Sequence, residues 1–153
     1  MTTALRWAAA LVAVSLTAAC TDPATTSAYS DVPSEGWLYG APLTFTVDSL
    51  PLPPTAAMTV ALTHNNDYPF RNIWLEARYL TADSVEVADT VNIELCDRFG
   101  RWFGKGFGAN YQISAPIPHR AVPAPGSCVE IRQILRVDTL RGIEKVGLDM
   151  HPL

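Results

Sequence analysis

The stretch best equipped for chemistry is Asp97-Arg98-Phe99-Gly100-Arg101-Trp102-Phe103-Gly104-Lys105-Gly106-Phe107-Gly108-Ala109-Asn110-Tyr111. Its four glycines and three cations invite comparison with a phosphate cradle. A P-loop requires four residues between its first glycine and a Gly-Lys pair, followed by Ser or Thr. Here three residues separate Gly100 from Gly104, and Gly106 follows Lys105. A dinucleotide fingerprint would need a helix after the last glycine, and nothing after Gly108 has a helical apolar period. Two readings remain. In one, this is a long turn between strands, with glycine supplying positive φ and Trp102, Phe103 and Phe107 pinning it to a sheet. In the other, Arg101, Trp102, Lys105 and Tyr111 form an exposed surface for a protein partner or a glycan.

A second polar stretch, Asn65-Asn66-Asp67-Tyr68-Pro69-Phe70-Arg71-Asn72, has turn chemistry, because Asn and Asp bond their own backbone. Asp67 alone is a poor calcium ligand set. Tyr68 and Arg71 are expected to join the interaction surface. Asp89, Glu94 and Asp97 lie along one strand region and read as solvated strand residues rather than paired catalytic acids. No Gly-x-Ser-x-Gly, His-Glu-x-x-His or Cys/His pair is present, so no catalytic residue, metal or cofactor is expected and the chain reads as a non-enzyme.

The remaining reactive groups are three cysteines, Cys20, Cys96 and Cys128. Arg6 is the only charged side chain before the run Trp7–Leu16, whose ten residues are too few to span a bilayer and fit a secretory signal. It ends in Leu16-Thr17-Ala18-Ala19-Cys20, which resembles a bacterial lipobox with Thr17 where Leu is usual. The expectation is cleavage before Cys20 and lipidation of its thiol. Bacterial lipoproteins typically carry three acyl chains, palmitate among them, and more than one chain is needed for durable anchoring. An ordinary signal cut after Ala19, leaving Cys20 free, is the alternative. With Cys20 consumed, Cys96 and Cys128 are left to pair as a disulfide in an oxidising compartment. Two separate thiols are the competing reading.

The elements that would carry these groups have period two. Leu43–Val47, Met58–Thr63, Ile73–Tyr79, Val85–Leu95 and Val129–Val137 each alternate apolar with polar residues, as half-buried antiparallel strands do. Breakers separate them at 50–54, 65–67, 81–83 and 116–126, and most of the 12 prolines fall in such gaps. One helical turn is expected around Thr139–Glu144, before a last strand Lys145–Met150. The fold expected is all-β, a single antiparallel β-sandwich of jelly-roll type. Its organisation is a signal peptide at 1–19, a flexible tether at 20–36, polar and proline-containing, and a β-sandwich domain at 37–153. Formal net charge is -4, and -5 without Arg6, so there is no footprint for nucleic acid and no polybasic lipid patch. The membrane attachment expected is the lipid on Cys20.

Four segments then carry a resemblance. They are Tyr68-Pro69-Phe70-Arg71-Asn72-Ile73-Trp74-Leu75; Asp89-Thr90 leading to Leu95-Cys96-Asp97-Arg98-Phe99-Gly100-Arg101-Trp102-Phe103-Gly104-Lys105-Gly106; Arg132–Asp138; and Leu140–Leu148. Their order, over about residues 45–150, resembles the gliding motility lipoprotein family GldH. The resemblance implies a lipid-anchored protein at the periplasmic face of the outer membrane in Bacteroidota-type bacteria. Its partners would be other envelope proteins of the gliding and type IX secretion apparatus. It supplies no catalytic residues to carry over, and the pair Cys96 and Cys128 departs from it. A jelly-roll glycan-binding lipoprotein is the other reading. It requires two of Trp37, Trp74 and Trp102 to lie exposed and coplanar on one sheet face.

Overall fold

The computed structural model describes residues 25–47 and 55–153. Eleven strands run in chain order: β1 (Thr26–Asp31), β2 (Trp37–Leu38), β3 (Leu43–Thr46), β4 (Ala56–His64), β5 (Asn72–Leu80), β6 (Glu86–Glu94), β7 (Lys105–Phe107), β8 (Asn110–Pro116), β9 (Cys128–Gln133), β10 (Thr139–Leu140) and β11 (Ile143–Pro152). No helix occurs among the described residues. A five-stranded sheet β1-β11-β4-β8-β7 and a four-stranded sheet β3-β9-β5-β6 form an antiparallel sandwich, with β10-β2 as a two-stranded accessory.

The alternation explains the layers. On β4, Met58, Val60, Leu62 and His64 point inward. On β5, Ile73, Leu75, Ala77 and Tyr79 do the same from the other sheet. Val91 and Ile93 of β6, Val129 and Ile131 of β9, and Val146 and Leu148 of β11 complete one continuous core. Leu135 and Val137, expected within a strand, are only partly buried, because β9 ends at Gln133 and the chain turns there. The buried Gln133 amide donates to the Val137 carbonyl and closes that turn.

Three expectations change. First, part of the segment read as a tether is structured: the six residues Thr26–Asp31 pair with Met150–Lys145 as edge strand β1. Its residues Thr-Ser-Ala-Tyr-Ser-Asp have no apolar alternation, because an edge strand lying over a sheet's rim buries little. Tyr29 nevertheless lays its ring over Gly147, in the space a Cβ would fill. Second, no helical turn forms at 139–144. Leu140 and Ile143 have helical spacing, but Leu140 pairs with Trp37 and Gly142 takes φ +84° against the Tyr68 backbone, where a Cβ would collide. Third, the glycine-rich stretch is no single loop. It folds back as the β7–β8 hairpin through Gly108 and Ala109.

Register gives the sandwich two ends. His64 pairs with Ile143 and Tyr111, so the turns at 65–71, 95–104 and 141–142 and the hairpin tip share one end. Thr26 pairs with Met150 and Ala56 with Pro152, so the chain enters the domain at the other.

Candidate functional site

The His64 end brings together the two polar stretches singled out in the sequence. The first is an Asx turn: Asn65 Oδ1 accepts from Asp67 N at 2.9 Å. The Asn65 amide donates to Glu144 at 2.9 Å, tying the turn to β11. In the second, one carboxylate organises the loop. Asp97 Oδ1 accepts from the backbone N–H groups of Phe99 (2.8 Å) and Arg101 (3.0 Å), and Oδ2 accepts from Arg101 Nε at 2.9 Å. These bonds, the Arg101 backbone N–H first, hold the Asp97 carboxyl below its ordinary value of 3.8. The Arg98 and Arg101 guanidinium carbons lie 4.7 and 5.6 Å from the Phe99 ring centroid, so that ring carries cations on its surface.

Trp102 joins the two stretches. Its backbone bridges to Cys96, its Nε1 donates to Asn66 Oδ1 at 3.0 Å, and its ring meets His64 edge-on at 4.7 Å. Tyr111 stacks on His64 at 5.5 Å and also lies 6.2 Å from the Trp102 ring, and Tyr68 lies 6.0 Å from His64. His64 is 0% exposed. Its Nδ1 lies 3.3 Å from the Asn65 carbonyl, which can only accept, so Nδ1 carries the proton in the neutral ring. Nε2 has no partner among the described residues. Burial pushes the His64 pKa below its ordinary 6.5, opposed in part by the Asn65 bond.

The expected surface residues therefore divide. Arg101, Lys105 and Arg71 are exposed, whereas Trp102 and Tyr111 are half-buried with their rings packed around His64. Tyr68 is a correction: it is core, its hydroxyl donating to the Asn72 carbonyl at 2.8 Å, and burial raises its pKa well above the ordinary 10.0. The pinning residues divide too. Trp102 holds the loop, but Phe107 is 96% exposed and Phe103 is exposed as well. His64 was missing from the sequence-based site, although it occupies the next inward position after Met58, Val60 and Leu62.

The disulfide is a second correction: Cys96 is a buried free thiol and Cys128 an exposed one. Cys96 N donates to the Arg71 carbonyl at the start of β5, whereas Cys128 adjoins Val129, the partner of Tyr79 near the far end of β5. The eight steps from Arg71 to Tyr79 span about 26 Å at strand rise. A bridge needs roughly 4.4–6.8 Å between Cα atoms. Counting the cysteines left over could not reveal that the two sit at opposite ends of β5. Cys20 and the signal run lie outside the described residues, as does the breaker at 50–54.

As for a stacking platform, Trp37 is buried with its Nε1 bonded to the Ala41 carbonyl, and Trp102 is engaged with His64. Trp74, at 42% exposure, stands alone of the three on an outer face. Among the described residues no three His, Cys, Asp or Glu side chains are placed to hold a metal ion, and no helix is long and apolar enough to cross a membrane. What the His64 end presents is two guanidinium groups over the Phe99 ring, the exposed rings of Phe103 and Phe107, and the β7–β8 hairpin.

No curated protein matches the sequence. The family model for the GldH lipoproteins matches residues 24–150, from just before β1 to within β11, and so takes in both sheets and the whole His64 end. By that match the chain belongs to the GldH lipoprotein family.

Proposed function

We propose that this lipoprotein is a non-catalytic assembly component of the gliding and type IX secretion machinery, and that its Arg101–Trp102 face docks another envelope protein. In this reading Cys20 carries the lipid, at the periplasmic face of the outer membrane. The observation that carries it is the polarity of the sandwich. The chain enters β1 at Thr26, at the end away from His64. The nine residues of β4 separate the two ends by about 25–30 Å at strand rise. An anchor at Cys20 holds the Thr26 end at the bilayer and leaves the Arg101–Trp102 face free for a partner. Loops on a rigid sheet carry recognition disproportionately, and this loop is held rigid by Asp97.

The test is crosslinking from native envelopes with the Arg101→Ala and Lys105→Ala variants, both exposed positions. We expect normal protein levels, reduced capture of the partner, and impaired spreading or secretion by the cells. Unchanged capture together with unchanged motility and secretion would sink this function.

A further inference from the structure

We infer that a second docking groove, apart from the Arg101–Trp102 face, accepts an extended protein segment bearing a large apolar side chain beside Lys or Arg. Two cavities that share a wall make the groove. One, of about 390 Å3, is an apolar slot lined by Pro33, Trp37, Leu38, Ala41, Pro42 and Leu43. The other, of about 960 Å3, is lined by Asp31, Glu35, Asp67 and Glu144 against the single cation Arg141. Pro33, Glu35 and Gly36 belong to both, so an occupant of one meets the other at once.

The slot is preformed. Trp37 forms a buried wall, and its indole N–H bonds to the Ala41 carbonyl at 2.8 Å, closing the loop over it. Tyr39 N donates to the Asp138 carbonyl at 2.9 Å and Ala41 N to the Leu38 carbonyl at 3.2 Å. Gly36, at φ +115°, packs so close to Thr139 and Leu140 that a Cβ would collide. On this fixed frame Leu38 and Tyr39 stay mostly exposed, an apolar rim with nothing over it among the described residues.

Charge selects the occupant. Asp31 is paired with Lys145 at 3.3 Å and Glu144 accepts from Asn65. Glu35 and Asp67 have no ion-pair partner among the described residues. A cleft with four carboxylates and one guanidinium repels phosphate, whether of a lipid headgroup or a nucleic acid, and attracts a cation. A basic side chain one or two residues from an apolar one on an extended strand fits both halves. This goes beyond the assembly role proposed above and does not depend on it: the groove contains neither Arg101, Trp102 nor Lys105 and meets that face only at the 65–67 turn.

The test uses the full chain in phosphatidylcholine nanodiscs, with empty nanodiscs as control. Three fluorescent peptides are titrated by anisotropy: Ala-Lys-Phe-Lys-Ala, Ala-Lys-Ala-Lys-Ala and Ala-Glu-Phe-Glu-Ala. We expect the first to bind at least about tenfold more tightly than the others, the loss a single anchor typically carries. Glu35→Lys and Leu38→Asp, each at an exposed position, should each weaken it about tenfold, with circular dichroism unchanged. Arg101→Ala should leave it unchanged, which separates this groove from the first face. Equal binding of the three peptides, or indifference to both groove variants, overturns the inference. A dimer broken by Leu38→Asp, without peptide binding, puts a second copy in the groove and overturns it too.

Discussion

Trp102 donates its indole N–H to Asn66 Oδ1 at 3.0 Å, across 36 residues of chain. That bond fastens the glycine-rich loop to the Asx turn, and the Trp102 ring then covers His64. Removing the indole therefore does two things: it leaves the amide of Asn66 unpaired and uncovers a buried imidazole.

A double-mutant cycle separates these effects. Asn66→Ala removes the bond and keeps the ring, and should cost about 0.5–1.5 kcal/mol by urea unfolding. Trp102→Phe keeps most of the edge contact and should cost a similar amount. The double variant should be less destabilised than the sum, because each single change breaks the same bond. Strict additivity would show that Asn66 and Trp102 do not hold the loop together.

His64 should make stability depend on pH. Its folded pKa is depressed by burial, so between that value and the unfolded 6.5 the unfolded chain binds the proton that the native one refuses. Stability is therefore full above 6.5 and falls as pH drops below it. Thermal unfolding from pH 7.5 to about 5, above the main carboxylate range, should show this fall. His64→Phe keeps an aromatic ring against Trp102 and Tyr111 and should flatten that slope. An equally steep slope in His64→Phe would assign it to other groups.

The core makes a simpler prediction. Ile93 is buried on β6 opposite Ile73, and Ile93→Ala should cost about 2–5 kcal/mol in chemical denaturation. A loss below about 1 kcal/mol would mean that the site collapses around the cavity.

Much of this core was legible in the sequence, because β4, β5, β6 and β9 are flanked on both sides or face the interior, and burial imposes alternation on them. The strands absent from the sequence reading are those without that constraint. β1 is an edge that carries one large side chain, Tyr29. β7 is three residues long, with a glycine at its centre. β8 did carry a signal, Tyr111, Ile113 and Ala115 alternating with Gln112 and Ser114, but its inward residues are only half-buried. The site was legible as turn chemistry at Asn65, since Asx turns are local, whereas Asp97, read as a solvated strand residue, organises its own loop. Which of its aromatic rings face inward depends on packing between segments far apart in sequence. Hence Tyr68 and His64 were misplaced or passed over, and the exposed Phe107 was expected to be a pin.

The cysteines offer the sharpest check on both chemistry and topology. Cys128 opens β9 opposite Thr46, its sulfur 4.0 Å from Thr46 Oγ1 and exposed to solvent. Cys96 is buried beside the Arg71 carbonyl and the Trp102 bridge. Thiolate, not thiol, attacks a maleimide, and access limits the rate once pH is fixed. Maleimide applied to the native protein should label Cys128 within minutes and Cys96 only in denaturant. Disturbing the Trp102 bridge with Trp102→Ala should speed labelling of Cys96 without changing Cys128, because only Cys96 lies under that loop. Intact mass of the non-reduced, denatured chain should show both thiols free, and the mature N-terminal peptide should carry acyl mass on Cys20. A mass two hydrogens short, with neither Cys96 nor Cys128 open to maleimide, would mean a bridge across about 26 Å of strand, and with it a register different from the one described. An unmodified Cys20 in protein recovered from the soluble fraction would remove the anchor that turns the Arg101–Trp102 face away from the bilayer.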